Sequence, residues 1–139
     1  MTGNVAQVFL TDEHWKSNLI SIRKTLNPEA HLVFEVRDPA QKAWLDWNRE
    51  KTYRRLNIPN VGYVEEWNEL IDVTDQLVSF CWTYVFESDG AIIKSDSVLR
   101  FRKKISIEQS LTECGYEVKE IREAPDRPNK EIVFIATPA

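Results

Sequence analysis

Glycine is scarce in this chain. Four occur in 139 residues, Gly3, Gly62, Gly90 and Gly115, none close to another, and no Gly-x-Gly exists. A loop that wraps a nucleotide or phosphate needs such glycines, because a Cβ would hold the backbone off the ligand. Cysteine and histidine are equally sparse. Cys81 and Cys114, with His14 and His31 at unrelated spacings, cannot supply a zinc site, so no metal is expected. Free thiols in a reducing cytoplasm are the plain reading of two cysteines. No apolar run approaches the roughly 20 residues of a membrane span, and no basic N-terminal segment leads into a signal-peptide core. Lys and Arg number 18 against 22 Asp and Glu, a net charge of −4, which lacks the footprint of a general nucleic-acid binder.

What is present is a globular composition. Apolar residues make up 42% and charged residues 29%, with five Trp, four Tyr and six Phe. A chain of this length favours one domain and buries roughly two-thirds of its unfolded surface without staples.

Met1 to Leu10 reads as a turn or strand end that needs a neighbour to cover it. A helix follows, with Asp12 and Glu13 in its first turn and Trp15, Leu19, Ile22 and Leu26 on one stripe. Asn27-Pro28 stops it. Leu32-Val33-Phe34 and Val36 make a run of β-formers broken only by Glu35, the pattern of a strand buried on both faces and hence a parallel one. Asp38-Pro39 then caps a second helix through Ala40, Ala43, Trp44 and Trp47. The basic residues Arg49, Lys51, Arg54 and Arg55 read as a solvated helix face. Ile58-Pro59-Asn60 breaks the segment.

From Val64 to Arg102 the period changes to that of an antiparallel meander of three strands. One candidate carries Trp67, Leu70, Ile71 and Val73, the second runs from Leu77 to Phe86 and the third from Ala91 to Phe101. Asp89-Gly90 predicts a two-residue type I′ turn, with positive φ at both positions and Phe86 opposite Ile93. One face then carries Phe80, Trp82, Tyr84, Phe86, Ile93, Leu99 and Phe101, and is buried or lines a pocket. The last third returns to a helix, capped by Ser106 and stopped at Gly115. A strand from Tyr116 follows. The closing strand Ile132-Val133-Phe134-Ile135-Ala136 is apolar enough to be central in a sheet.

The segments Leu26-Asn27-Pro28-Glu29-Ala30-His31-Leu32-Val33-Phe34-Glu35, then Arg37-Asp38-Pro39, and Leu111-Thr112-Glu113-Cys114-Gly115-Tyr116-Glu117-Val118 occur in an order and spacing that is specific. With Met1 to Leu10 before them and Leu99-Arg100-Phe101-Arg102 between, the chain resembles the C-terminal half of a class I S-adenosylmethionine-dependent methyltransferase of the small-molecule branch. In that resemblance Met1 to Leu10 is the end of the family's fourth strand and the loop beyond it. The family's Gly-Gly after the proline is Glu29-Ala30 here. The implied fold is α/β: a partial Rossmann-like sheet over 1–56 and 103–139, with a three-stranded antiparallel β-meander inserted at 57–102. Such an insertion covers a substrate pocket in the family.

The resemblance also implies a missing part. The family grips its cofactor with a glycine-rich turn after the first strand and an acidic residue at the end of the second. Neither is encoded here. Two readings stay open: Met1 is an internal methionine of a longer reading frame, or the chain is a naturally shortened relative. Half of a doubly wound sheet leaves a cut edge, and Val8, Phe9, Leu19 and Val33 are expected on that raw surface. Self-association as a homo-oligomer such as a dimer, or pairing with a complementary chain, is therefore expected. Binding of S-adenosylmethionine by one chain alone is not.

Carried over from the family, Thr2, Gly3, Asn4 and Gln7 lie beside the cofactor's methionine end, against the alternative of a frayed N-terminus. Arg37 ends a strand, where open α/β sheets place ligands, or it makes a salt bridge. Asp38 reads as a helix cap. Arg100 and Arg102 share a strand face and could clamp a carboxylate or phosphate, or pair with Asp96 or Glu87. Tyr84 could reach a substrate through its hydroxyl, while its face reads as packing. Trp44 and Trp47 read as core, and Cys81 and Cys114 as small buried hydrophobes. No catalytic acid or base is identifiable: neither histidine has the company that such chemistry demands. The function implied is small-molecule methyl transfer. The alternative is a non-catalytic binding or subunit protein that keeps the meander pocket.

Overall fold

The computed structural model describes all 139 residues. In chain order the elements are helix α1 (Asp12–Thr25), strand β1 (Leu32–Arg37), the one-turn helix α2 (Arg49–Thr52), strands β2 (Arg54–Ile58), β3 (Gly62–Thr74), β4 (Leu77–Phe86) and β5 (Ile92–Arg100), helix α3 (Lys104–Glu113), and strands β6 (Tyr116–Glu123) and β7 (Glu131–Pro138). They divide into two compact units. One comprises Met1–Lys42 with Leu99–Ala139, the other Ala43–Val98.

In the first unit α1 starts where expected, because Thr11 Oγ1 accepts from the His14 N–H (3.1 Å) and Asp12 and Glu13 occupy the first turn. Its apolar stripe buries Trp15 and Leu19. Beneath them is a three-stranded sheet in the order β1-β7-β6, so β7 is indeed central. The expectation of parallel pairing for β1 is overturned: β1 and β6 both run antiparallel to β7. They share a direction with each other but are separated by the reversed strand. The apolar run misled because only one face of β1 is covered. Leu32, Phe34 and Val36 are buried, while Val33 is 42% exposed and Glu35 and Arg37 are half-buried.

The core is built on rings. Phe34 and Phe134 face each other in the β1–β7 register and stack with centroids 5.2 Å apart, and Trp15 meets Phe34 edge-on at 5.5 Å. The Trp15 indole N–H donates to Ser110 Oγ (2.9 Å), whose hydroxyl donates to the Ile107 carbonyl (2.8 Å). α3 is thereby tied to α1. Ser106 does not cap α3; the helix begins two residues earlier and the Ser106 N–H bonds the Lys103 carbonyl (3.0 Å). Tyr116 Oη donates to the Leu19 carbonyl (2.6 Å), so Leu19 is fully covered and not on a raw surface. Phe9 is also half-covered, against Trp15, whereas Val8 and Val33 are exposed.

Met1–Leu10 forms no strand. Asn4 takes left-handed φ (58°), a conformation asparagine tolerates, and starts a 3-10 turn at Val5–Val8. Gln7, 1% exposed, anchors that turn. Its Oε1 accepts from the Arg37 N–H (3.2 Å) and Arg37 Nη1 (3.4 Å), and its Nε2 donates to the Arg100 carbonyl (3.5 Å).

The second unit is an antiparallel meander of four strands, β2-β3-β4-β5, one more than expected. The helix expected from Asp38 is replaced by two 3-10 turns, Pro39–Gln41 and Ala43–Asp46, because Lys42 between them is left-handed (φ 47°). Asp38 does cap the first, accepting from the Ala40 N–H (3.0 Å). The basic stretch is not one helix face. It splits into α2, capped by Asn48 on the Lys51 N–H (2.9 Å), and the exposed edge strand β2.

The β4–β5 turn also differs. Only Gly90 has positive φ (71°), and the Phe86 N–H bonds the Ala91 carbonyl (2.9 Å), so the loop is the four residues 87–90 and not a type I′ pair. Asp89 uses its side chain instead, accepting from the Ala91 N–H (2.9 Å). The slip is of two residues, so the aromatic side chains keep their face. On it Phe80 is buried with Trp47 edge-on at 4.7 Å, while Trp82, Tyr84 and Phe86 are half-buried and Ile93 is exposed. Thr83, on the opposite face, is buried too.

Three tests follow from this packing. Ser110→Ala strands a buried indole N–H and lowers stability by about 1–3 kcal/mol in urea unfolding with an unchanged slope. Gln7→Leu removes the buried amide that bonds the Arg37 N–H and the Arg100 carbonyl; we expect a loss of about 1–3 kcal/mol and faster hydrogen exchange at Arg37. Burial pushes the Cys114 thiol pKa up, so at mildly alkaline pH a thiol reagent labels Cys114 far more slowly in the native chain than in urea.

Candidate functional site

At the carboxyl end of β1 the first unit gathers a cluster of polar side chains. Arg37 is the last residue of β1, and the register sets it opposite Glu131, the first residue of β7. Gln7 comes to them from the N-terminal turn through its bonds to Arg37. Asn4 adds two more links. Its backbone N–H donates to Glu35 Oε1 (3.3 Å) and its Nδ2 donates to Glu131 Oε1 (3.1 Å). Glu131 also pairs with Arg127 Nη1 (3.1 Å). Two guanidiniums and two carboxylates, Arg37, Arg127, Glu35 and Glu131, therefore balance in charge around two amides.

Burial, the largest effect, pushes the Arg37 pKa below its ordinary value; the Arg127 charge acts in the same direction and Glu131 opposes it. Two oxygens in the cluster are buried without a hydrogen-bond partner, Asn4 Oδ1 and Glu131 Oε2. A buried acceptor left unpaired calls for a donor.

Beside this cluster the strand-end arginines converge on α1. Arg100 Nη1 contacts Asp12 Oδ1 (3.0 Å) and donates to the Leu10 carbonyl (3.1 Å). Arg102 donates from Nη2 to the Thr11 carbonyl (3.0 Å) and from Nε to the same Asp12 oxygen (3.4 Å), with its guanidinium carbon 5.5 Å from the Trp15 ring centre. Burial first, then the Arg100 charge, lowers the Arg102 pKa to about 10. Asp12, and neither Asp96 nor Glu87, is the carboxylate on these two arginines; Glu87 pairs instead with Arg55 (2.8 Å). Any incoming anion must compete with Asp12.

Of the residues expected at a site, Asn4, Gln7, Arg37 and Arg100 are linked by hydrogen bonds, and Arg102 adjoins them through Asp12. Thr2 and Gly3 are exposed beside Asn4, Gly3 with φ 68°. Tyr84 lies in the second unit, stacked on Trp82 at 6.2 Å. Sequence reasoning missed Glu131 and Glu35. A carboxylate heading the apolar run Ile132–Ala136 was the available signal, but only the strand register gives it a partner. No group of three or more His, Cys, Asp or Glu is placed to hold a metal. No helix is long and apolar enough to cross a membrane.

No protein-family model matches the sequence, and no curated protein matches it. Solved structures do. A S-adenosylmethionine-dependent methyltransferase from Clostridium acetobutylicum superposes on 99% of this chain with a TM-score of 0.70 at 12% identity, over 56% of its own length. The CcbJ methyltransferase from Streptomyces caelestis matches 99% of the chain with a TM-score of 0.72 at 17% identity, over 55% of its own. An amino pentose methyltransferase from Micromonospora echinaspora, solved with S-adenosylmethionine bound, matches 99% with a TM-score of 0.70 at 14% identity, over 57% of its own. The chain thus spans about half the length of the structures it matches. Its α/β fold is that of class I S-adenosylmethionine-dependent methyltransferases, and it resembles their C-terminal half.

Proposed function

We propose that this chain serves methyl transfer from S-adenosylmethionine to a small molecule. What supports the reading is one coincidence: the polar cluster of Asn4, Gln7 and Arg37 stands at the carboxyl end of a strand in a methyltransferase-like fold, where open α/β sheets bind ligands. The orphaned Asn4 Oδ1 is an acceptor suited to an ammonium donor such as the cofactor's methionine end carries.

In this reading Thr2, Gly3, Asn4 and Gln7 hold that end. Arg37 and Arg100 present cationic groups to the substrate, and Arg102 holds Thr11 and Asp12 beneath them. When bound, the cofactor supplies an electrophilic methyl on a sulfonium. The protein's own part is to align the acceptor and exclude water, with no covalent intermediate required. Amino sugars are the acceptor class suggested by the pentose-modifying neighbour. A second copy or a complementary chain completes the adenosine side, and the exposed Val8 and Val33 are apolar surface for that association.

Calorimetric titration of S-adenosylmethionine into the chain, with its oligomeric state measured by sedimentation, tests this. We expect micromolar binding by the assembled form, weakened by Asn4→Ala. No heat from a stable folded oligomer overturns the reading, and assigns the chain instead to a non-catalytic binding or subunit role.

A further inference from the structure

A second polar feature of the first unit borders that cluster and shares Glu131 with it. Around the ends of β6 and β7 is a cavity of about 260 Å³. Its lining includes Asp38, Lys104, Arg122, Glu123, Asn129 and Glu131. Four of these lie at strand ends, three at the carboxyl ends of β1 and β6 and one at the start of β7. Glu123 ends β6, Arg122 precedes it, Asp38 follows β1, and Glu131 begins the reversed strand β7. The Asp38 N–H bonds the Lys130 carbonyl (3.0 Å), which ties the end of β1 to the loop that supplies Asn129.

Glu131 makes this more than a surface dip. Its side chain is 5% exposed, yet it is part of the lining, and one of its two carboxylate oxygens, Oε2, has no hydrogen-bond partner. Its other oxygen is held by Asn4 and Arg127, so the carboxylate is fixed in place. An oriented, buried acceptor of this kind costs stability unless a donor meets it. The rim carries both signs, Lys104 and Arg122 against Asp38 and Glu123. A free cation or a free anion would meet like charge on part of that rim. A molecule carrying one charge of each sign meets its complement on both sides.

We propose that this cavity binds a small zwitterion, its ammonium donating to Glu131 and its carboxylate facing Lys104 and Arg122. About 260 Å³ lies just below the range of drug-sized ligand pockets, which suits a compact molecule of the amino-acid class. None of the residues assigned above to the cofactor or its substrate lines the cavity.

The test is an NMR titration of the isotopically labelled full chain with L-serine as probe, and with ethanolamine and lactate as the two half-charged controls. We expect saturable shifts at the amides of Ile121, Arg122, Glu123 and Ile132 in the millimolar range with L-serine, and binding weaker by roughly tenfold or more for either control. Glu131→Gln removes the charge while keeping an acceptor and a donor at the site. It should lower L-serine affinity by roughly tenfold. Lys104→Ala is a surface change that leaves the fold intact, and it should weaken L-serine without affecting ethanolamine. Absence of saturable shifts, equal binding of the half-charged controls, or unchanged affinity in both variants overturns the proposal. S-adenosylmethionine calorimetry reports on the methyl-transfer reading separately, so each can fail alone.

Discussion

The contact on which the rest of the first unit depends is the stacking of Phe34 on Phe134 across the β1–β7 pair. It fixes the register, because a slip of one residue would turn Phe34 out of the core and bring Val33 in. Trp15 rests edge-on against Phe34, and its indole N–H reaches Ser110, so α1 and α3 are both positioned from the same ring pair. Three residues further along, that register sets Arg37 opposite Glu131. The polar cluster is thus a consequence of hydrophobic packing in the core. Aromatic burial supplies the energy, and the pleat carries its geometry to the sheet's end.

Much of this fold was legible where local physics decides. α1 follows from acidic first-turn residues, a single apolar stripe and the Asn27-Pro28 stop, and it forms over the expected residues. The apolar closing strand is central, as its composition implies. Besides the turns after Asp38 and the start of α3, three features were not legible. The direction of β1 depends on a partner about 100 residues away, and its apolar run looks the same whether one face is covered or two. β2 was hidden by Arg54 and Arg55, which are exposed on an edge strand and so read as a solvated helix face. In the β4–β5 turn, Asp89-Gly90 signals type I′, but the Asp89 side chain bonds the Ala91 N–H and a longer loop forms. The cost of that misreading is small, since a two-residue slip leaves every side chain on its face.

The candidate site divides in the same way. Asn4 and Gln7 have no local pattern that marks them; family resemblance alone pointed there, and both are buried and bonded. Arg37 was visible as a charge ending a strand. Arg100 and Arg102 were visible as neighbours on one strand face, but their carboxylate was misplaced: Asp12 begins α1 and is distant in sequence. A helix that needs acid in its first turn also supplies the counter-ion for two half-buried or buried arginines, and pattern reading assigns Asp12 only the first of these tasks. Glu131 was the hardest to find: Arg127 is a near neighbour, but Asn4, which donates to it, and Arg37, opposite it in the register, lie far back in the chain.

The reversed strand explains why so much charge collects at one end. β1 and β6 run in one direction and offer their last residues there, Arg37 and Glu123. A parallel strand between them would also end at that edge. β7 runs the other way, so it presents its first residue, Glu131, and with it the loop that carries Arg127 and Asn129. Polar residues at a strand start have no alternation to obey and no obligation to fill the core. A carboxylate can therefore be buried there against Asn4, Arg37 and Arg127 without disturbing the apolar run behind it. The antiparallel strand places, between two strand ends, an anchored acceptor that a wholly parallel sheet would have to draw from a separate loop.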